Sequence, residues 1–302
     1  MFMKKEYHGI IPPVLTPLDK NYELDIAGLE RLLERMIFGG VHGLFILGTT
    51  GEGPMLGSRI QRQMIDETVR IVRKRVPVLA GVSDMSLVNS VDLTLYAKSA
   101  GIDGIVAAAP CYMTLGDRDM VDFYRELSSA GKMPLFVYNM PSMTKSYLPP
   151  SLVAELAEIP GVRGYKDSSG NMTDFYEVIR HLGGREDFSI FVGPEEMLAE
   201  SVLAGADGGV SGGANLNPAL FVNMYNAAAD HDINAVAQLR RQIYIQRELY
   251  GAAATPDRII RGLKCALKEL GVCEDHPVPP GKPLNDAERK KVMETVSALG
   301  II

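Results

Sequence analysis

The chain has 302 residues, 46% of them hydrophobic, with a formal net charge of −6 and no tryptophan. That length allows one large core or two smaller ones, and an acidic balance without a basic stripe argues against nucleic acid as a partner. No apolar run approaches the ~18 residues of a membrane span, and Met1 to His8 lacks the apolar core of an export signal, so a cytoplasmic location is expected.

In chain order, an apolar run from Gly9 to Leu15 ends in Thr16-Pro17 and leads to a helical pattern from Asp25 to Phe38. Asp25 can cap that helix, and Leu29, Leu32, Leu33, Met36 and Ile37 recur at spacings that make one buried face. The same unit then repeats. Strands are expected at Val41 to Leu47, Val76 to Val82, Gly104 to Ala109 and Pro134 to Tyr138, then at Val162 to Lys166, Phe188 to Val192 and Gly208 to Ser211. Their helices are Arg59 to Arg75, Leu87 to Ala100, Arg118 to Ala130 and Pro150 to Ala157, then Asp174 to Leu182, Glu195 to Ala204 and Pro218 to Ala229. Eight such pairs, with strands apolar on both faces, predict an α/β fold of the closed (β/α)₈ TIM-barrel type over residues 1–229. Beyond it, a three-helix extension is expected over residues 230–302, from Asn234 to Tyr250, Pro256 to Leu270 and Asp286 to Leu299.

In such a barrel the chemistry sits in loops at the C-terminal ends of the strands. The second strand ends in Gly48-Thr49-Thr50-Gly51-Glu52-Gly53, where backbone N–H groups could converge on an anion or simply make a tight turn. The fifth ends in Tyr138 and the sixth in Lys166. A lysine there could snorkel to solvent or pair with Asp167; desolvated instead, it becomes a nucleophile toward a carbonyl. With Thr49, Thr50 and Lys166 at neighbouring strand ends, Tyr138 reads as a proton carrier. Tyr112 follows the fourth strand. After the seventh, Gly193-Pro194-Glu195-Glu196 offers acids that could cap a helix or bind substrate hydroxyls; after the eighth, the glycines around Ser211 could bind a phosphate or only give the backbone room. The 3 cysteines, Cys111, Cys265 and Cys273, are scattered without metal-ligand spacing and read as reduced thiols.

Gly48-Thr49-Thr50-Gly51-Glu52, Tyr138-Asn139-Met140-Pro141 and Lys166 followed by Gly170, in that order, resemble the dihydrodipicolinate synthase/N-acetylneuraminate lyase family of class I aldolases. The resemblance spans essentially the whole chain. It implies an imine between Lys166 and pyruvate or another 2-oxo acid, proton relay by Tyr138, and a substrate carboxylate held by Thr49 and Thr50 beside Gly48. It implies that Tyr112 enters a neighbouring subunit's site within a homotetramer built as a dimer of dimers, and that no metal or organic cofactor is needed. Met143 stands where synthases of the family carry an arginine for the second substrate's carboxylate, and a thioether cannot replace that fork of donors. Glu195 and Glu196 resemble the acidic pair with which sialic acid lyases bind a polyhydroxylated tail, and Ser168 keeps a hydroxyl beside the lysine, although Gly212 lacks one. With Gly193 and Ser211, these residues point to a lyase or aldolase that cleaves or condenses a 2-oxo-3-deoxy sugar acid. A dihydrodipicolinate synthase or a sugar-acid dehydratase is the alternative within the family, and a non-catalytic 2-oxo acid sensor the alternative outside enzymes.

Overall fold

The computed structural model describes residues 5–301. Residues 1–4, on which the export-signal expectation partly falls, lie outside the described residues. Eight parallel strands are β1 (Gly9–Ile10), β2 (Leu44–Ile46), β3 (Val78–Gly81), β4 (Gly104–Ala108), β5 (Leu135–Asn139), β6 (Val162–Asp167), β7 (Ser189–Val192) and β8 (Gly208–Gly209). They hydrogen-bond in the order β1-β8-β7-β6-β5-β4-β3-β2. The ring closes between β1 and β2 through a parallel bridge from Pro13 to Phe45, where the Val14 N–H donates to the Phe45 carbonyl at 2.8 Å. The expected strand from Gly9 to Leu15 shortens to two paired residues because Pro12 and Pro13 have no N–H to donate to a ladder.

Helices flank this (β/α)₈ barrel: α1 (Ile26–Phe38), α2 (Ser58–Val72), α3 (Leu87–Ala100), α4 (Asp117–Gly131), α5 (Pro141–Thr144, in the loop after β5 at the barrel's mouth), α6 (Pro150–Leu156), α7 (Met172–Leu182), α8 (Leu198–Leu203) and α9 (Pro218–Ala229). Asp25 does cap α1, accepting from the Gly28 N–H at 2.8 Å. The single turn α5 was not expected; it is too short for any periodicity to reveal. The helix expected from Glu195 begins as a 3₁₀ turn, Glu195–Met197, before α8.

Strand alternation divides the core in two. One face of each strand packs under the helices, as Ile105, Ala107, Leu135 and Val137 do. The other fills the barrel interior with Tyr7, Ile11, Phe45, Leu79, Val106, Phe136 and Phe191. Tyr138 belongs to this inner set, and Lys166 stands beside it on the neighbouring strand.

The extension consists of α10 (Ile233–Arg247), α11 (Arg258–Glu269) and α12 (Asp286–Ala298). The helix expected to run to Tyr250 stops at Arg247, and a 3₁₀ turn, Glu248–Gly251, carries Tyr250 inward. Two buried carboxylates of the barrel's mouth hold this tail. Glu52, from the loop after β2, accepts from the Lys264 ammonium at 2.5 Å and from the Val278 N–H at 2.7 Å. Glu195, from the loop after β7, accepts from the Tyr250 hydroxyl at 2.8 Å and from the Gly213 N–H at 2.7 Å. Lys264 is wholly buried, and burial lowers its pKa against the opposing pull of Glu52.

Removing one partner of a buried pair leaves the other charge without compensation and costs about 3–5 kcal/mol. Lys264→Met is therefore expected to lower the unfolding free energy by about that amount in urea denaturation, and adding Glu52→Gln should recover part of the loss. A wild-type midpoint for the single variant would contradict the clamp.

Candidate active site

Tyr138 and Lys166 pair directly in the β5–β6 register, with Asn139 opposite Asp167 one step further. Because side chains alternate along a strand, this register places the phenol and the amine together on the inner face and Asn139 with Asp167 on the outer one. The outer pair is fully hydrogen-bonded. The Asp167 carboxylate accepts from the Tyr165 hydroxyl at 2.5 Å, the Asn139 amide at 2.8 Å, and the Ser169 N–H and hydroxyl at 2.9 and 2.7 Å. Asn139 also accepts from the Leu148 N–H at 3.2 Å, tying the loop beyond α5 to the same cluster.

On the inner face, Lys166 and Tyr138 are each 5% exposed. The lysine ammonium lies 4.0 Å from the centre of the Tyr138 ring and 5.1 Å from that of Phe45. Burial pushes the Lys166 pKa below its ordinary value, opposed by the Tyr138 phenol and, more weakly, by Asp167. For Tyr138 burial acts upward, but the Lys166 charge together with hydrogen bonds from Ser168, Thr49 and Lys166 brings the phenol below its ordinary value. The Thr49 hydroxyl stands 3.4 Å from the Tyr138 hydroxyl. Its loop is folded tightly: Leu47 and Glu52 are left-handed, and a side chain at Gly53 would sit 1.9 Å from the Leu47 carbonyl oxygen.

Thr49, Thr50, Tyr138, Lys166, Ser168, Gly193, Glu195, Glu196 and Met143 converge on one cavity of about 300 Å³. The expected residues do not all lie on it. Gly48 packs against the Phe45 ring, and Ser211 is fully buried, so neither lines the cavity. Tyr112 is 82% exposed and belongs to a separate surface hollow with Met85, Met113 and Phe123, so this chain's own Lys166 does not meet it. Glu195 reaches the cavity with both carboxylate oxygens already bonded to Tyr250 and Gly213, and burial holds its pKa above the ordinary carboxylate range. Glu196 pairs with Arg247 at 3.1 Å.

Part of the cavity is built by the tail. Arg247, Tyr250, Pro256, Asp257, Ile259 and Ile260 all line it, and none was expected in the site. The sequence holds no clear signal for them, since helical patterns with mixed charge usually cover a barrel without entering it. A metal is a different matter. Among the described residues, Glu274, Asp275 and His276 are the one group close enough to share an ion; they lie in the tail, where Lys268 pairs with both carboxylates and Arg289 with Asp275.

Residues 6–299 match the model of the dihydrodipicolinate synthetase family. A probable 2-dehydro-3-deoxy-D-pentonate aldolase of Escherichia coli K12 is 31% identical over 303 residues, covering 99% of each chain. The solved dihydrodipicolinate synthase of Bacteroides thetaiotaomicron superposes with a TM-score of 0.94 at 43% identity, covering 98% of this chain and 100% of its own. A prophage protein of the dihydrodipicolinic acid synthase family from Escherichia coli K12, solved in complex with pyruvate, gives a TM-score of 0.92 at 27% identity, covering 98% and 99%.

Because the Tyr138 phenol holds the Lys166 pKa up, Tyr138→Phe should lower that pKa further. The neutral amine then exists at lower pH. The half-maximal pH for trapping Lys166 with a small carbonyl compound and borohydride is expected to move down, and a midpoint that stays or rises would contradict the arrangement.

Proposed function

Because the chain belongs to the dihydrodipicolinate synthetase family and is thereby a class I aldolase or lyase, we propose that it joins pyruvate to, or releases it from, a neutral hydroxyaldehyde through an imine at Lys166. The observation that carries this reading is the buried amine of Lys166, its pKa lowered by burial, against the Tyr138 phenol, whose hydroxyl stands 3.4 Å from that of Thr49. The neutral amine adds to the ketone carbon of pyruvate, and the carbinolamine hydroxyl leaves as water with a proton from Tyr138, giving an iminium ion and the Tyr138 phenolate. The phenolate takes a proton from the pyruvate methyl carbon, which neutralises the iminium as an enamine and restores the Tyr138 hydroxyl. That carbon attacks the aldehyde carbonyl, whose oxygen takes a proton from Tyr138, and water then hydrolyses the imine to free a 4-hydroxy-2-oxo acid and the amine. Cleavage is the same sequence reversed, with Tyr138 taking the proton. Thr49 and Thr50 supply donors to the pyruvate carboxylate.

The aldehyde end of the cavity supports a sugar-derived partner. Met143 lines it with a thioether, which offers no donors to a second carboxylate. Glu196 and Arg247 stand there as a neutralised pair. The 43% identity to a solved dihydrodipicolinate synthase favours the second reading, condensation with aspartate semialdehyde.

Incubation with pyruvate and borohydride should add a reduced pyruvyl group at Lys166 by peptide mass spectrometry, and Lys166→Ala should gain none; an unmodified Lys166 with pyruvate bound would sink the imine. Tyr138→Phe is expected to lower turnover by about 10²–10⁴. Across a panel of 2-oxo-3-deoxy acids and hydroxyaldehydes, turnover should exceed that of aspartate semialdehyde, and the reverse order would select the synthase.

A further inference from the structure

We propose that Arg247, contributed by the tail and not by the barrel, is a specificity-determining residue that reads hydroxyl groups of the aldehyde partner in the cavity that Lys166 also lines. The inference rests on the imine reading above and adds to it the source and the chemistry of substrate selection.

Arg247 lines the cavity and is 37% exposed on its side chain. It is held from both sides. Gln246, fully buried, donates to the Gly213 carbonyl at 2.8 Å, and the Tyr250 hydroxyl donates to Glu195 at 2.8 Å. The backbone at 246–250 is thus anchored to the loops after β8 and β7, and the Tyr244 ring lies 5.7 Å from the Arg247 guanidinium carbon. A guanidinium has five N–H donors, and here its ion pair is with Glu196 at 3.1 Å. Donors are left to face the cavity.

Charge decides what those donors take. Around Arg247 the cavity wall carries Glu196 and Asp257, and Asp257 in turn pairs with Arg261 at 2.7 Å. Two cations and two carboxylates leave no surplus positive charge for a further carboxylate, and Glu195 adds a third acid. A pair of adjacent hydroxyls suits this wall: one accepts from Arg247 while the other donates to Glu196. A site built to bond hydroxyls discriminates against analogues that lack them, because its own polar groups are then left unpaired.

The test compares kcat/KM for condensation of pyruvate with glyceraldehyde and with propanal, which has the same carbon chain without the hydroxyls. In the wild type the ratio should favour glyceraldehyde. In Arg247→Ala it should fall by about tenfold, the size of one lost hydrogen-bonded contact. Arg247→Lys, which keeps the charge beside Glu196 but loses the fork, should also lower the ratio; a purely structural arginine would be rescued by lysine. Arg240→Ala, on the same helix in an exposed pair with Glu200, should leave the ratio as in the wild type. An unchanged ratio in both Arg247 variants, with glyceraldehyde still turned over and Lys166 still trapped by pyruvate, would overturn this proposal alone. Loss of aspartate semialdehyde turnover in Arg247→Ala would overturn its chemistry by making Arg247 a carboxylate receptor. Absence of the Lys166 adduct in the wild type would overturn both this inference and the imine reading.

Discussion

The geometry of the site depends on one pairing, the register that sets β5 against β6. It brings Tyr138 opposite Lys166 on the inner face and Asn139 opposite Asp167 on the outer. A shift of β6 by one residue against β5 would turn Lys166 under the helices and Asp167 into the barrel, leaving Tyr138 without its amine. The outer network opposes that shift. Asp167 is satisfied by Tyr165, Asn139 and Ser169 together, and the bond that crosses from Asn139 on β5 does not survive a slip. The polar groups behind the strands therefore fix the reactive ones in front of them.

The second determinant is the way charge is distributed with depth. At the closed end, a buried amine and a phenol share an apolar floor with Phe45, and burial makes the amine available as a nucleophile. At the rim, Glu52 and Glu195 are also buried, but each is spent on a contact with the tail. At the cavity wall Glu196 keeps an ion pair with Arg247, and Asp257 one with Arg261. The proposed chemistry thus falls to barrel residues and the proposed selection to a tail residue lining the same cavity.

The barrel was legible in the sequence because its signals are local. Strands apolar on both faces alternate with amphipathic helices, and α3 and α9 match their expected limits residue for residue. Lys166 and Tyr138 stood out because each ends such an apolar run. The tail's share of the site was not legible, because its determinants are contacts across long separations. Glu52 and Lys264 lie 212 positions apart and Glu195 and Tyr250 lie 55 apart, and no window of sequence contains either pair. Reading Glu195 as a group for substrate hydroxyls failed to anticipate its bonds to Tyr250 and Gly213 for the same reason. Tyr112 was assigned a role through a neighbouring subunit, and within one chain it stays on the surface.

The two buried carboxylates also set an order of assembly. During synthesis the segment through β8 emerges well before Tyr250 and Lys264, so a nascent barrel has its reactive pair while Glu52 and Glu195 still lack their tail partners. An ionised carboxylate is costly to bury alone, so the loops after β2 and β7 stay hydrated until the last helices dock. Without its docked tail the barrel would leave both carboxylates short of a partner, and the cavity would lose Arg247 and Tyr250 from its wall.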